Sequence, residues 1–449
     1  MANQNLTVGD PGRIIRSYCL PLFGSVFFQE MYNLTDSFVA GRFIGENGLA
    51  AVGNSYEITL IYLAFAFGCN TGCSVNTAQN FGAKDYKNVK TAISTALISA
   101  ALICSLLFVF GLSMTKPLLH LLKTPDVLFA DSATYLKIYT LGLPFLFFYN
   151  IATGIFSALG DSKTPFFFLA ASSILNIMLD ILFVSQFQMG VAGVGWATFI
   201  CQGIACIPVF FVVRSKLKML PAKNAPLLTR HSVKSFILIA IPSTLQRGIV
   251  VLGNMIIRGV VNSYGTTVIT GYAVAVKLIN LSTSFFGTIG TGVTNYTSQN
   301  LGARLPKRVE EGFWASVKFV WAIALTTCLL CELFPSALIK IFLTEPTDAT
   351  QKIATDFLRV ASPFYFAPAI KIMCDSVLCG AKKMRLVLFS LTLDLGLRAL
   401  AVVICSSIFH TAFSIWFAWP IGWVLAACIT FILYKKTLSN FLMNNKTSS

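Results

Sequence analysis

Apolar residues run along this chain in long blocks separated by short polar or Pro/Gly breaks, a pattern that predicts twelve membrane-spanning helices. The blocks fall near 15–40, 50–76, 90–113, 134–159, 165–186 and 191–213. After a polar stretch they resume near 236–261, 269–295, 309–333, 356–380, 385–408 and 411–433. A span needs only roughly 20 residues, so the longer blocks tilt or extend past the bilayer. The first block follows Arg13 and Arg16, holds Glu30 and Asp36 and lacks a small-residue cleavage site. It therefore reads as a span and not as a removable signal.

The breaks repeat. Gln79-Asn80-Phe81-Gly82-Ala83-Lys84 follows the second block, and Gln299-Asn300-Leu301-Gly302-Ala303-Arg304 follows the eighth. At nearly the same offset, about 220 residues, Pro21 pairs with Pro242, Pro144 with Pro363 and Gly160 with Gly380. Six spans per repeat give both halves one orientation. The expectation is an all-α membrane protein of two pseudo-symmetric six-helix bundles, a parallel repeat with its axis along the membrane normal. The expected division is an N-lobe over 1–213, a cytoplasmic linker over 214–235, a C-lobe over 236–433 and a cytoplasmic tail over 434–449. Such duplicated bundles are the architecture of alternating-access transporters.

Composition narrows the class further. Hydrophobic residues make up 55% of the chain and charged residues 12%, the latter about half the roughly 25% of soluble domains. Soluble, disordered and singly anchored proteins are excluded. A net charge of +16 would suggest nucleic acid in a soluble protein, but its placement says otherwise. Basic residues in the breaks on one side of the spans outnumber those on the other about three to one. That bias puts both termini in the cytoplasm and requires an even number of spans. The expected setting is the inner cell membrane, with the bilayer and small organic substrates as partners, no nucleic acid, and a monomeric chain. The twelve cysteines sit in or at the edges of apolar blocks, as small packing residues and not a disulfide framework. No phosphate-binding Gly-rich loop and no nucleophile–base pair is present, so neither an enzyme nor direct ATP drive is expected, and no cofactor beyond a coupling ion.

Ionisable groups inside a membrane are costly and mark function by default. Asp36 lies deep in the first span with Tyr32 one turn before it, and Asp180 lies deep in the fifth with Asn176 one turn before it. The i, i+4 spacing puts each polar pair on one helix face. Two carboxylates, an amide oxygen and a hydroxyl can coordinate Na⁺ (Asp36, Asp180 and Asn176 as its ligands), or the two acids can share a proton. Glu30 and Glu57 are weaker candidates, one facing elsewhere on its helix and the other near a span end.

The stretches MYNLTDSFVAGRFIGENGLAAVG (31–53), QNFGAKDYKNVK (79–90), SALGDSKTPFF (157–167), LNIMLDILFV (175–184) and GVAGVGWATFICQ (190–202) resemble the multidrug and toxic compound extrusion (MATE) family. In the second half the repeated QNLGAR and IWFAWPIGWVLAA (415–427) carry the likeness. The resemblance implies twelve helices in two lobes and export of organic substrates driven by inward Na⁺ or H⁺. It also implies a first-lobe cation site like that of the DinF-like members, formed by Tyr32, Asp36, Asn176, Asp180 and Thr198, with Asn150 joining through a looser alignment. The alternative is a lipid-linked oligosaccharide flippase of the same superfamily, whose members often carry fourteen spans.

The second half departs from the NorM-like branch: the acids of its seventh span are missing, while Asp375 matches an acid of that branch, with Lys371 one turn before it. Arg247, Arg258, Lys277, Lys371 and Arg398 lie deep, with Asp375, Asp394 and Glu332 to neutralise them. Unpaired buried charge is costly, so the expectation is a wet substrate cavity lined by Arg247, Arg258, Lys277, Lys371, Asp375 and Arg398 that favours anionic or zwitterionic groups. Phe285, Phe286, Phe364, Tyr365 and Phe366 are candidates for apolar contact.

Overall fold

The computed structural model describes residues 5–222, 224–343 and 347–447; the side chains of Glu30, residues 32–34, Asp36, Ser37, Ala40, Ser414 and residues 444–447 lie outside the described set. The described residues form α1 (Pro11–Val39), α2 (Glu46–Gly82), α3 (Tyr86–Leu121), α4 (Asp126–Leu141), α5 (Leu143–Ala158), α6 (Lys163–Ile181), α7 (Gly190–Met219) and α8 (Arg230–Asn262). They continue as α9 (Thr266–Gly302), α10 (Pro306–Leu333), α11 (Pro335–Phe342), α12 (Asp348–Ala361), α13 (Phe366–Gly380), α14 (Met384–Phe409), α15 (Ala412–Trp416) and α16 (Ala418–Thr447). Nine of these helices are individually long and apolar enough to cross a membrane, and α4 joined to α5 makes a tenth. The polar-bearing α1 and the broken α12–α13 complete the twelve spans.

The chain divides into two compact units, Leu20–Thr244 and Leu245–Ser449, the latter joined by Leu6–Cys19. Within the first, α2 runs through the middle, packed on α3, α4 and α5; within the second, α9 packs on α10, α12 and α13. Both central helices have 37 residues. Small residues allow close approach where no hydrophobic effect separates helix from lipid: a Cβ at Gly154 of α5 would meet the Asn70 carbonyl of α2.

The sequence repeat survives as backbone hydrogen bonding. After α2, Ala83, Lys84 and Asp85 donate to the carbonyls of Gln79, Phe81 and Asn80; after α9, Ala303, Arg304 and Leu305 donate to Gln299, Leu301 and Asn300. Lys84 (φ 58°) and Arg304 (φ 59°) take the left-handed conformation that closes each helix. Pro144 and Pro363 likewise mark the same event. α4 and α5 meet at a 48° bend just before Pro144, and a 3₁₀ turn over Ser362–Phe364 separates α12 from α13. A proline ring clashes with the preceding turn and has no N–H to donate.

Gly160 and Gly380 do not match in this way. Gly160 is the left-handed residue (φ 78°) after α5, a task that Lys382 (φ 59°) performs after α13. Gly380 is helical, and a Cβ there would meet the Thr294 carbonyl of α9. The segment read as a linker, 214–235, is helical at both ends, because α7 continues to Met219 and α8 begins at Arg230. The tail read over 434–449 continues α16 as far as Thr447. Charged residues ended the apolar pattern in both places, but backbone hydrogen bonding carries a helix on into water.

Candidate functional site

In the first lobe, α6 carries Asn176 and Asp180 on one face, and both are buried. α7 brings in Thr198, also buried, and α5 brings in the half-buried Asn150. Asn150, Asn176 and Thr198 line one cavity of about 240 Å³. Asp180 lies one turn beyond Asn176 on the same helix. Asn70 Nδ2 donates to the Asn150 carbonyl at 2.8 Å, and Asn150 Nδ2 donates to the Leu146 carbonyl at 2.9 Å. Each amide thus uses its N–H group on backbone, and its oxygen is the group suited to a cation.

Tyr32 and Asp36 lie on α1, with side chains outside the described set. The backbone nonetheless brings the two acids' helices together. α1 ends in a π-helical turn over Ala40–Ile44, shortly after Asp36, and α6 ends in one over Leu182–Gln186, shortly after Asp180. These two turns pack against each other. π turns widen the backbone locally and recur at functional sites.

Sequence reasoning missed most of the cavity wall. Ser25, Gln29, Asn70, Ser173 and Gln202 also line it. The signal was available as periodicity: Ser173 precedes Asn176 by three residues, and Gln202 follows Thr198 by four, so each pair shares a helix face. Glu57, the weaker candidate on α2, is exposed, and the side chain of Glu30 lies outside the described set.

A second polar cluster joins α7 to the turn between α5 and α6. Lys216 of α7, counted from the sequence among loop charges, is buried and pairs with Asp161 at 2.8 Å. Thr164 donates to the same carboxylate from its backbone N–H at 3.0 Å and its hydroxyl at 2.7 Å. Burial disfavours the charged Asp161, but the Lys216 ammonium and the Thr164 bonds outweigh it and hold the carboxyl below its ordinary range.

In the second lobe, Lys371, Asp375 and Arg398, read as cavity-lining, form an ion-pair network with Asp394. Lys371 Nζ lies 2.8 Å from Asp375 Oδ2 and 3.9 Å from Asp394 Oδ2. Arg398 donates to Asp394 through Nε at 3.1 Å and Nη2 at 3.3 Å, and its guanidinium lies 4.9 Å from the Trp419 ring centre. Each i, i+4 pair is neutral overall, which lowers the cost of burying its charges without removing it. Glu332 accepts from the Ser362 hydroxyl at 2.7 Å. Arg247, Arg258 and Lys277 remain exposed on α8 and α9, two helices whose sequences contain no acid. Lys277 Nζ sits 5.8 Å from the Phe342 ring centre. Phe286 and Tyr365 are fully buried packing residues; Phe285, Phe364 and Phe366 are partly or wholly exposed.

Comparison with known proteins agrees over nearly the whole chain. The probable multidrug resistance protein YpnP of Bacillus subtilis is 29% identical over 447 residues, 97% of each chain. A FAD transporter of Shewanella oneidensis is 22% identical over 340 residues, 75% of each chain. A solved MOP-superfamily transporter from Pyrococcus furiosus superposes with a TM-score of 0.92 at 20% identity, covering 98% of this chain and 99% of that one. The sequence pattern of the MatE family matches residues 21–182 and 242–416, one segment in each half. This multi-pass, twelve-span protein is a transporter, not an enzyme, and belongs to the multidrug and toxic compound extrusion (MATE) family.

Proposed function

We propose that the protein is a secondary active exporter that couples inward movement of Na⁺ or H⁺ to efflux of organic substrates by alternating access. It acts as a monomer in the inner cell membrane with both termini cytoplasmic. Asp36 and Asp180 carry the coupling ion, aided by Tyr32, Asn150, Asn176 and Thr198. The observation that carries this reading is the buried Asp180, one turn from an amide-lined cavity, on a helix whose π turn packs on that of α1. A carboxylate so placed binds a cation or proton far more favourably than it stands alone.

The test is counterflow in proteoliposomes under an imposed Na⁺ gradient and, separately, a pH gradient. Asp180→Asn is expected to abolish gradient-driven export while leaving folded protein in the bilayer. Full coupled transport by that variant would remove Asp180 from the site.

The substrates favoured are anionic or zwitterionic. Supporting this are three exposed cations on two acid-free helices, since a charge at such depth is tolerated where it faces water. That a relative is a FAD transporter, FAD being an anionic dinucleotide, points the same way.

A further inference from the structure

Four charges of the second lobe, Asp375, Lys371, Asp394 and Arg398, alternate in sign and sum to zero; Lys371, Asp394 and Arg398 are buried and Asp375 is partly so. They come from two helices, α13 and α14, and one ammonium stands between the two carboxylates: Lys371 Nζ is 2.8 Å from Asp375 and 3.9 Å from Asp394. Arg398 is committed to Asp394 by two hydrogen bonds. Asp375 Oδ1 is buried, and the Ser390 hydroxyl is the neutral donor within reach of the same carboxylate. Lys371 is thus the only described cation within ion-pair distance of Asp375.

We infer that Lys371 is a tethered counter-ion, whose ammonium fills a monovalent-cation position framed by Asp375 and Asp394. The second lobe thereby carries its own cation, and its acids are closed to a free Na⁺ or proton. If the ammonium is removed, two carboxylates face one guanidinium in a largely buried site. A net buried charge is costly enough that the site must recruit a cation or a proton. The inference rests on the proposed function only in leaving the mobile ion to the first lobe.

The experiment uses the full-length protein carrying Asp36→Asn and Asp180→Asn, which silences the first-lobe acids. Binding of radiolabelled Na⁺ is measured, together with the melting temperature as Na⁺ is titrated at fixed pH and as pH is lowered without Na⁺. The background is expected to bind no Na⁺. Adding Lys371→Met is expected to create about one site per chain, seen as Na⁺ binding or as uptake of one further proton on acidification. Adding Asp375→Asn as well should abolish it, and Lys371→Arg, which keeps the charge, should never show it. A folded Lys371→Met protein that gains neither ion overturns the inference. Should Lys371→Met fail to fold, the charge-balanced Lys371→Met/Asp375→Asn decides. Its recovery supports the inference; its failure beside a folded Lys371→Arg overturns it by assigning Lys371 to packing. If the background itself binds Na⁺, the first-lobe reading fails, while the gain caused by Lys371→Met is still read as an increment above it.

Discussion

The Asp161–Lys216 pair shows what one residue's surroundings decide. Asp161 lies in the turn between α5 and α6, and its carboxylate has one buried cation and two Thr164 donors. Its folded pKa is lowered, so the stability it contributes is present above the ordinary carboxylate range, near pH 4. That stability is lost as pH falls through the lowered folded value. Lys216→Met leaves burial as the dominant influence and is expected to raise the carboxyl above its ordinary range. Breaking a buried pair from one side costs about 3–5 kcal/mol, and the surviving Thr164 bonds place this case near the lower figure. Asp161→Asn/Lys216→Met should regain much of the loss. Thermal melts of detergent-purified protein across pH would show this; a single Lys216→Met variant as stable as the parent would refute it. A hydropathy pattern cannot foresee such a pair. It sees Lys216 as one charge of the polar stretch after an apolar block, whereas its long stem lets the ammonium reach a partner in the turn between α5 and α6.

At the level of elements, the prolines do the same work twice. The fourth and tenth spans are each two helices, broken at Pro144 and Pro363. Pro144→Ala supplies an N–H and removes the ring, so α4 and α5 are expected to run on more continuously across Gly142. Hydrogen exchange is the measurement: amides from Leu141 to Phe145 should exchange more slowly in the variant. An unchanged rate would mean that packing, not proline, sets the bend. That Pro144 and Pro363 correspond was legible from the repeat, although Pro21, Pro117, Pro208 and Pro242 sit inside unbroken helices and a proline alone does not foretell a break. The shift between Gly160 and Gly380 was not, because glycine serves two needs, a left-handed turn and close helix approach, and the letter is the same for both.

For the molecule as a whole, the polarity differs between lobes. In the first, Asp180 is buried near an amide-lined cavity; in the second, four charges cancel, and three cations on α8 and α9 remain exposed. Arg258→Gln/Lys277→Gln is expected to raise KM for anionic substrates about tenfold, roughly 1.4 kcal/mol of lost attraction, with little effect on lipophilic cations. Equal effects on both classes in a transport panel would argue against a charge-selective role. The lobes and twelve spans were readable from periodicity and repeat, and the Lys371–Asp375 pair from its spacing. The link from Lys371 to Asp394 was not, since a helical spacing rule compares positions on one helix and says nothing of the next.

The stacking of Arg398 over Trp419 has a practical corollary. Of the six tryptophans, Trp314, Trp321, Trp416, Trp419 and Trp423 belong to the second unit, and only Trp196 to the first. Trp196 lies on α7 two residues before Thr198 and packs edge-on against Phe199. Replacing Trp196 with phenylalanine silences the emission of one lobe, and keeping it alone isolates that lobe. Each half of the transporter can therefore be watched by its own light.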